Sequence, residues 1–323
     1  MIDFVKFRLS SIYFDQIISN EHLEFEMKVN SKTGEINSKR IAYLHNMKIE
    51  IWDSKRILIS GSLHKLYNVL TKNYAPNQLN DFQIKKGFNG NQYSYSNIWF
   101  TLNYLSNKLS ISLSDTYLEN LEFGFNLSHQ FDTTQILYSL IKHIGKPFTN
   151  DIENYYQVVH SHYIVKVYDK ANQYGIDDEL IRFELKFQKM EKLNKLLIFS
   201  CYDLLNMNNL EKLKNLTSKA WSEVFMFDYT IDEKKLSKTD LNRILRYKNK
   251  IFWIYELANN RQYRDKNKLS YFTKKYSSNV QLHIKELIEE YFDRLIKSCI
   301  TVDQLFIKRI TTDSSNIVST INH

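Results

Sequence analysis

Cysteine is scarce: Cys201 and Cys299 are the only two in 323 residues, and they stand far apart. Such spacing supplies neither a disulfide framework nor a C-x-x-C metal knuckle, and it suits a reducing compartment. Long apolar runs are missing as well. Nothing approaches the ~20 residues that cross a bilayer, and the opening Met1-Ile-Asp-Phe-Val-Lys-Phe-Arg-Leu mixes charged with apolar residues instead of forming a signal-peptide core. A soluble, cytoplasmic chain with no membrane partner is therefore expected. The G-x-x-x-x-G-K-[ST] phosphate loop is absent, which argues against an ATP-driven motor. Internal repeats and low-complexity blocks are lacking too.

What the chain does have is positive charge, unevenly spread. The formal net charge is +8, yet Lys234 to Tyr276 alone holds 13 Lys/Arg against three Asp/Glu, a local +10 that leaves the remainder slightly acidic. In that stretch Arg243, Arg246, Lys248, Lys250, Arg261 and Arg264 alternate with Tyr247, Trp253, Tyr255, Tyr263 and Tyr271. Cations that neutralise phosphates, interleaved with rings that stack on unpaired bases, form the footprint expected of a DNA-contacting surface. A solvated helical region whose aromatics are core is the plain alternative.

Hydrophobic periodicity changes near residue 200. Before it, short segments alternate as half-buried strands do: Ile57 to His64, Leu109 to Ser114, Leu121 to Leu127, His162 to Lys170 and Leu180 to Phe187. Helical spacing appears over Thr133–His143, Asn209–Phe225 and Asn279–Ile300. The expected fold is α+β: an antiparallel-sheet catalytic domain with flanking helices over 1–200, then a mostly helical DNA-binding region over 201–310. A Ser/Thr/Asn-rich tail over 311–323 is expected to be disordered.

Three strand-like segments carry reactive groups on one face. With Leu121, Phe123, Phe125 and Leu127 turned to the core, Glu122, Gly124 and Asn126 face the other way. Likewise Arg182, Glu184 and Lys186 oppose Ile181, Phe183, Leu185 and Phe187, while His162, Lys166, Tyr168 and, if the strand persists, Lys170 oppose Tyr163, Val165 and Val167. If these strands are neighbours, Glu122 and Glu184 can hold Mg²⁺ or Mn²⁺ through hard oxygen ligands, with Asn126, His64 or His162 eligible as a third. Tyr168 would be the nucleophile, with Lys166 and Lys170 favouring its ionised form and Arg182 clamping a phosphate oxygen. The ordinary alternative is a wet sheet face. His160 and His162 flank Ser161, so they miss the apolar centre of the His-hydrophobe-His motif and rank below the carboxylates.

Taken in order, Met1-Ile-Asp, Gly61-Ser-Leu-His-Lys-Leu-Tyr-Asn, Asn120-Leu-Glu-Phe-Gly-Phe-Asn, Val167-Tyr-Asp-Lys and Ile181-Arg-Phe-Glu-Leu-Lys resemble the gene II replication proteins of filamentous phages and their plasmid relatives. The likeness spans roughly 1–230. It implies rolling-circle initiation: a metal-dependent, site-specific nick, a 5′-phosphotyrosine link, a free 3′-hydroxyl that primes synthesis, and later rejoining. Its Tyr-x-Lys strand end matches Tyr168-Asp-Lys170, and its Arg-Phe-Glu matches Arg182 to Glu184. Glu122 stands where the family has aspartate. The turn Gly61 to Lys65 answers the family's small-residue and histidine turn, offering His64 as a ligand and Lys65 as a DNA contact. The implied partners are origin DNA, duplex and single-stranded, with a host helicase and polymerase. A relaxase or single-strand transposase, and a non-catalytic origin-binding protein, are the competing readings.

Overall fold

Alternating sequences build strands wherever one face can be buried, and in this chain they assemble into one large sheet. A computed structural model of the chain describes residues 1–29, 32–34, 36–256 and 259–297. Thirteen strands occur among them: β1 Ile2–Leu9, β2 Glu26–Val29, β3 Ile36–Leu44, β4 Met47–Ile51, β5 Ile57–Ser62, β6 Thr116–Ser128, β7 Leu140–His143, β8 Lys146–Pro147, β9 Thr149–Ile152, β10 Tyr155–Val159, β11 Tyr163–Asp169, β12 Leu180–Phe187 and β13 Val224–Met226. Ten of them form an antiparallel sheet in the order β2-β3-β4-β5-β1-β6-β12-β11-β10-β9. A second sheet runs β13-β7-β8. The fold is α+β.

The sheet's apolar face carries Phe123, Phe125, Val165, Val167, Phe183 and Leu185, all essentially without solvent contact. Helices Met207–Ser222 and Val280–Lys297 supply its cover: Trp221 meets Phe183 edge-on at 5.0 Å, and Ile284, Ile288 and Tyr291 join the same core. The change of periodicity near residue 200 thus marks a change of secondary structure, while the apolar core runs through it. A smaller core of Ile141, Phe227, Ile244, Tyr247, Phe252, Trp253, Leu269 and Phe272 gathers helices Lys238–Lys248 and Asn259–Tyr276 beside the second sheet.

Several element boundaries differ from the sequence expectation. Leu109 to Ser114 is not a strand. Leu109 closes helix Tyr95–Leu109, whose buried Ile98, Leu102, Leu105 and Leu109 follow the helical period, and Ser110 ends it in a left-handed turn at φ 51°. The helix over Thr133–His143 stops at Ser139, because Leu140–His143 pairs with β13; the helix expected up to Phe225 stops at Ser222 for the same reason. Strand β5 ends at Ser62, which caps helix Leu63–Leu70 by accepting from the Lys65 N–H. The last helix covers Val280–Lys297. The tail over 311–323, like Cys299 and Ile300, lies outside the described residues.

Candidate metal and tyrosine site

Strands β6, β12 and β11 are consecutive in the sheet, so their polar faces merge. Register sets Glu184 opposite Gly124 and Lys166, Lys186 opposite Glu122, and Arg182 opposite Asn126 and Tyr168. Gly124 makes that proximity possible. A Cβ there would overlap Phe183 O and Glu184 Cβ, so any other residue would push β12 away from β6.

A third carboxylate comes from β1. Ile2 pairs with Phe123 and Val5 with Leu121, so Asp3 and Phe4 together oppose the single residue Glu122. This β-bulge rotates Asp3 out of phase with Val5, Phe7 and Leu9 and onto the polar face. One oxygen from each of Asp3, Glu122 and Glu184 lies within 4.8 Å of the others, and all three residues are buried. The set could hold a metal ion.

Cations stitch these carboxylates together. Arg182 Nε donates to Glu184 Oε2 at 2.6 Å, its Nη1 donates to Asn126 Oδ1 at 2.7 Å, and its Nη2 lies 3.3 Å from Asp3 Oδ2. Lys166 Nζ bridges Glu122 Oε1 and Glu184 Oε1, each at 3.0 Å, and Lys186 Nζ reaches Glu122 Oε1 at 3.0 Å. Burial opposes ionisation of Asp3, but Arg182, followed by Lys170, outweighs it and holds the carboxyl well below the usual range. Glu184 is likewise lowered, burial being overcome by Arg182 and Lys166. Asp3 also accepts from Ser62 Oγ and from Asn89 Nδ2.

Tyr168 stands at the edge of this cluster. Its hydroxyl donates to Glu184 Oε1 at 3.3 Å, its ring lies 5.1 Å from that of Tyr155, and Lys170 Nζ is 5.0 Å from its ring centroid. Burial, then the charge of Glu184, pushes the phenol well above its ordinary pKa. The expectation that Lys166 and Lys170 favour the ionised phenol is therefore reversed as the groups stand: Lys166 is committed to Glu122 and Glu184, and the phenol keeps its proton. Lys170 has left the strand. It is the first residue of helix Lys170–Tyr174, capped by Asp169, and its Nζ donates to Asn89 Oδ1 at 2.7 Å and Gln173 Oε1 at 2.9 Å. Burial, followed by Arg182, lowers its pKa to about 7.

No family model and no curated protein matches the chain.

The remaining expected site residues divide. Asn126 is not free to bind a metal, because Oδ1 accepts from Arg182 and Nδ2 donates to the carbonyls of Asn89 and Asn91 at 2.9 Å. Its role is to fix the guanidinium. Arg182 is only 2% exposed and turned into the carboxylates, so it organises them and is not a free phosphate clamp. His64 is buried beside Asp3, with Nε2 2.6 Å from Asn91 Oδ1 and its ring stacked on Tyr93 at 4.7 Å. Burial holds it neutral, its pKa well below the usual value. It stands outside the three-carboxylate set, as does His162, whose Nδ1 pairs with Glu191 at 2.5 Å. His160 instead meets His143, Nε2 to Nδ1 at 2.8 Å. Lys65 does reach the site: together with Asp3, Glu122, Tyr168 and Lys170 it lines a cleft of about 390 Å³.

In the basic region, Arg243 and Lys248 pair with Asp240 and Glu233 at 2.8 and 3.2 Å. Arg246 lies over Phe252 at 4.3 Å, Lys250 over Tyr156 at 5.2 Å, and Arg264 is exposed. The Arg261 side chain lies outside the described residues. Tyr247 and Trp253 are core residues, 2% and 1% exposed, whereas Tyr255 and Tyr263 are 80% and 77% exposed.

Sequence reasoning missed Asp3 and Tyr155. Asp3 was visible only as part of the opening Met1-Ile-Asp likeness, since strict alternation assigns it to the core face. Tyr155 could be placed only once β10 was known to pair with β11, which sets it directly opposite Tyr168.

Proposed function

We propose that this chain nicks and rejoins one DNA strand through Tyr168, as a rolling-circle replication initiator does, with Mg²⁺ or Mn²⁺ held by Asp3, Glu122 and Glu184. One observation carries the reading: a tyrosine hydroxyl donates to a carboxylate that belongs to a buried three-carboxylate cluster. Hard oxygen donors within 4.8 Å of one another suit such a cation. When bound, it would neutralise carboxylate charge and polarise a phosphate oxygen. Asp3 and Glu184 are pre-ordered for that task by Arg182, and Glu122 by Lys166 and Lys186, while Glu184 is placed to accept the phenolic proton.

In the nicking step a bond forms from the Tyr168 oxygen to phosphorus and the bond from phosphorus to the 3′-oxygen breaks. The phenolic proton is lost to the site, and the departing 3′-oxygen gains a proton, leaving a free hydroxyl. Joining reverses both changes. The basic helices with exposed Tyr255 and Tyr263 would hold the melted origin, and a host helicase and polymerase would act on the primed strand.

A second reading has its own support. Three carboxylates meet Arg182, Lys166 and Lys186 in a charge-balanced network that is also consistent with a structural role in a non-catalytic origin-binding protein.

Supercoiled DNA carrying the replicon's own origin, incubated with the protein and Mg²⁺ or Mn²⁺, separates the two. Nicked circles with protein on the 5′ end after denaturation are expected, and Tyr168→Phe should abolish the adduct while binding persists. Binding without nicking by the wild-type protein would favour the non-catalytic reading.

A further inference from the structure

We infer that a second phosphate subsite lies beside Tyr168, formed by the ammonium groups of Lys65 and Lys170, and that it takes the phosphodiester adjacent to the one attacked. The choice of that particular phosphate rests on the nicking reading; the existence of an anion subsite does not.

Lys166 and Lys186 each meet a carboxylate; of the three lysines that line the cleft, Lys86 lies over the Phe82 ring at 4.7 Å, and Lys65 and Lys170 have no ion-pair partner among the described residues. An ammonium has three donors. Lys65 Nζ spends one on the Lys86 carbonyl at 2.8 Å, and Lys170 Nζ spends two, on Asn89 and Gln173. Where Lys170 is protonated, three N–H donors on two cations are thus left for the cleft.

The local backbone is shaped to keep one of these cations in place. Gly87 takes a left-handed φ of +71°, and a Cβ there would meet the Lys65 stem at 3.0 Å. The glycine lets that stem lie flat, so its ammonium is fixed by the Lys86 carbonyl instead of ranging through solvent. The two cations share one cleft, and the Lys65 charge adds to burial and Arg182 in depressing Lys170, against the opposing pull of Asp3 and Glu184, so the two ammoniums repel each other. An anion between them would remove that repulsion. Asp3, Glu122 and Tyr168 line the same cleft, so the chemistry that fits is a polyanionic strand, with one phosphate at the carboxylates and its neighbour at the lysines.

The test measures binding of a labelled single-stranded oligonucleotide to the full chain by fluorescence anisotropy, in EDTA, over a range of salt. Lys65→Met keeps most of the stem over Gly87 and loses the charge. It should make the slope of log K against log salt shallower by about 0.7, the share of one single-strand phosphate contact, and Lys65→Arg should restore it. An unchanged slope overturns the subsite, and Lys65→Gln provides the same comparison should the Met variant melt early. Inorganic phosphate at matched ionic strength should not displace the oligonucleotide. Displacement from wild type but not from Lys65→Met would assign the subsite to a free anion and overturn the strand assignment. Nicking is scored separately: a shifted slope with no nick under any metal would sink the reaction and leave the subsite standing.

Discussion

The polar face of the sheet and the basic C-terminal region are built from the same side chains, lysine, arginine and tyrosine, and they use them in opposite ways. On the sheet, Arg182, Lys166 and Tyr168 are held by strand register against carboxylates, and each hydrogen bond fixes the next. In the C-terminal helices the charges point outward, and rings such as Tyr263 stand in solvent while Trp253 and Tyr247 fill a small core. The difference teaches that a count of cations and aromatics does not locate chemistry. Burial with a defined partner marks the candidate site, and in the function proposed above the exposed groups would give a sequence-independent grip on DNA.

The largest effect should come from breaking the sheet's network at its centre. Arg182→Met leaves Asp3 and Glu184 buried without their main counter-charge, and losing one partner of such a network costs about 3–5 kcal/mol. Urea unfolding should show it as a lower midpoint with little change in slope. A loss under about 1 kcal/mol would mean that Lys166 and Lys170 suffice to hold the carboxylates.

Next comes the contrast within the basic region. Trp253→Ala removes a ring that is 1% exposed and donates to the Tyr247 carbonyl at 2.7 Å, so about 3–5 kcal/mol of stability should go. Tyr263→Ala should leave the melting temperature alone and weaken single-strand binding by about 1–3 kcal/mol, as for one stacked base. If both variants weakened DNA binding equally without loss of stability, the division into core and contact rings would be wrong.

Lys170 sharpens the comparison through pH. Its folded pKa is lowered to about 7 from 10.5. Between those values the unfolded chain holds a proton that the folded chain lacks, so stability rises with pH across that window and, for this group, is flat below it. The slope is at most about 1.4 kcal/mol per pH unit for one proton. Subtracting the Lys170→Met curve from that of wild type should isolate this rise. A difference that does not vary with pH would show that Lys170 stays charged.

How much of this was legible from residues alone depends on whether a side chain's direction is set locally. In β6, β11 and β12 one face is buried and the period is two, so Glu122, Asn126, Tyr168, Arg182 and Glu184 could be assigned to one face without coordinates. Asp3 could not, because the bulge opposite Glu122 reverses its phase, and a bulge is a property of two strands together. The short strands β7 and β13 read as helix continuations because their pairing is with each other, across about eighty residues. Hydrogen-bond direction was hidden too. Arg182 and Asn126 were placed on the correct face, but only their partners reveal that they serve the carboxylates and not a ligand.

The smallest effect, and the finest division, lies among the surface cations themselves. Arg264 is exposed and has no ion-pair partner among the described residues, whereas Arg243 lies 2.8 Å from Asp240, which Lys268 also approaches at 3.8 Å. A cation already committed to a carboxylate must give up that pair to meet a phosphate, so it contributes less to binding than a free one. Arg264→Ala should therefore make the single-strand salt slope shallower by about 0.7, Arg243→Ala by less, and neither should move the melting temperature measurably. Equal slopes for the two would show that the Asp240 pair opens freely in the complex. A larger change for Arg243 would place the DNA on helix Lys238–Lys248 rather than on Asn259–Tyr276, and would shift the contact toward Lys248 at the end of the same helix.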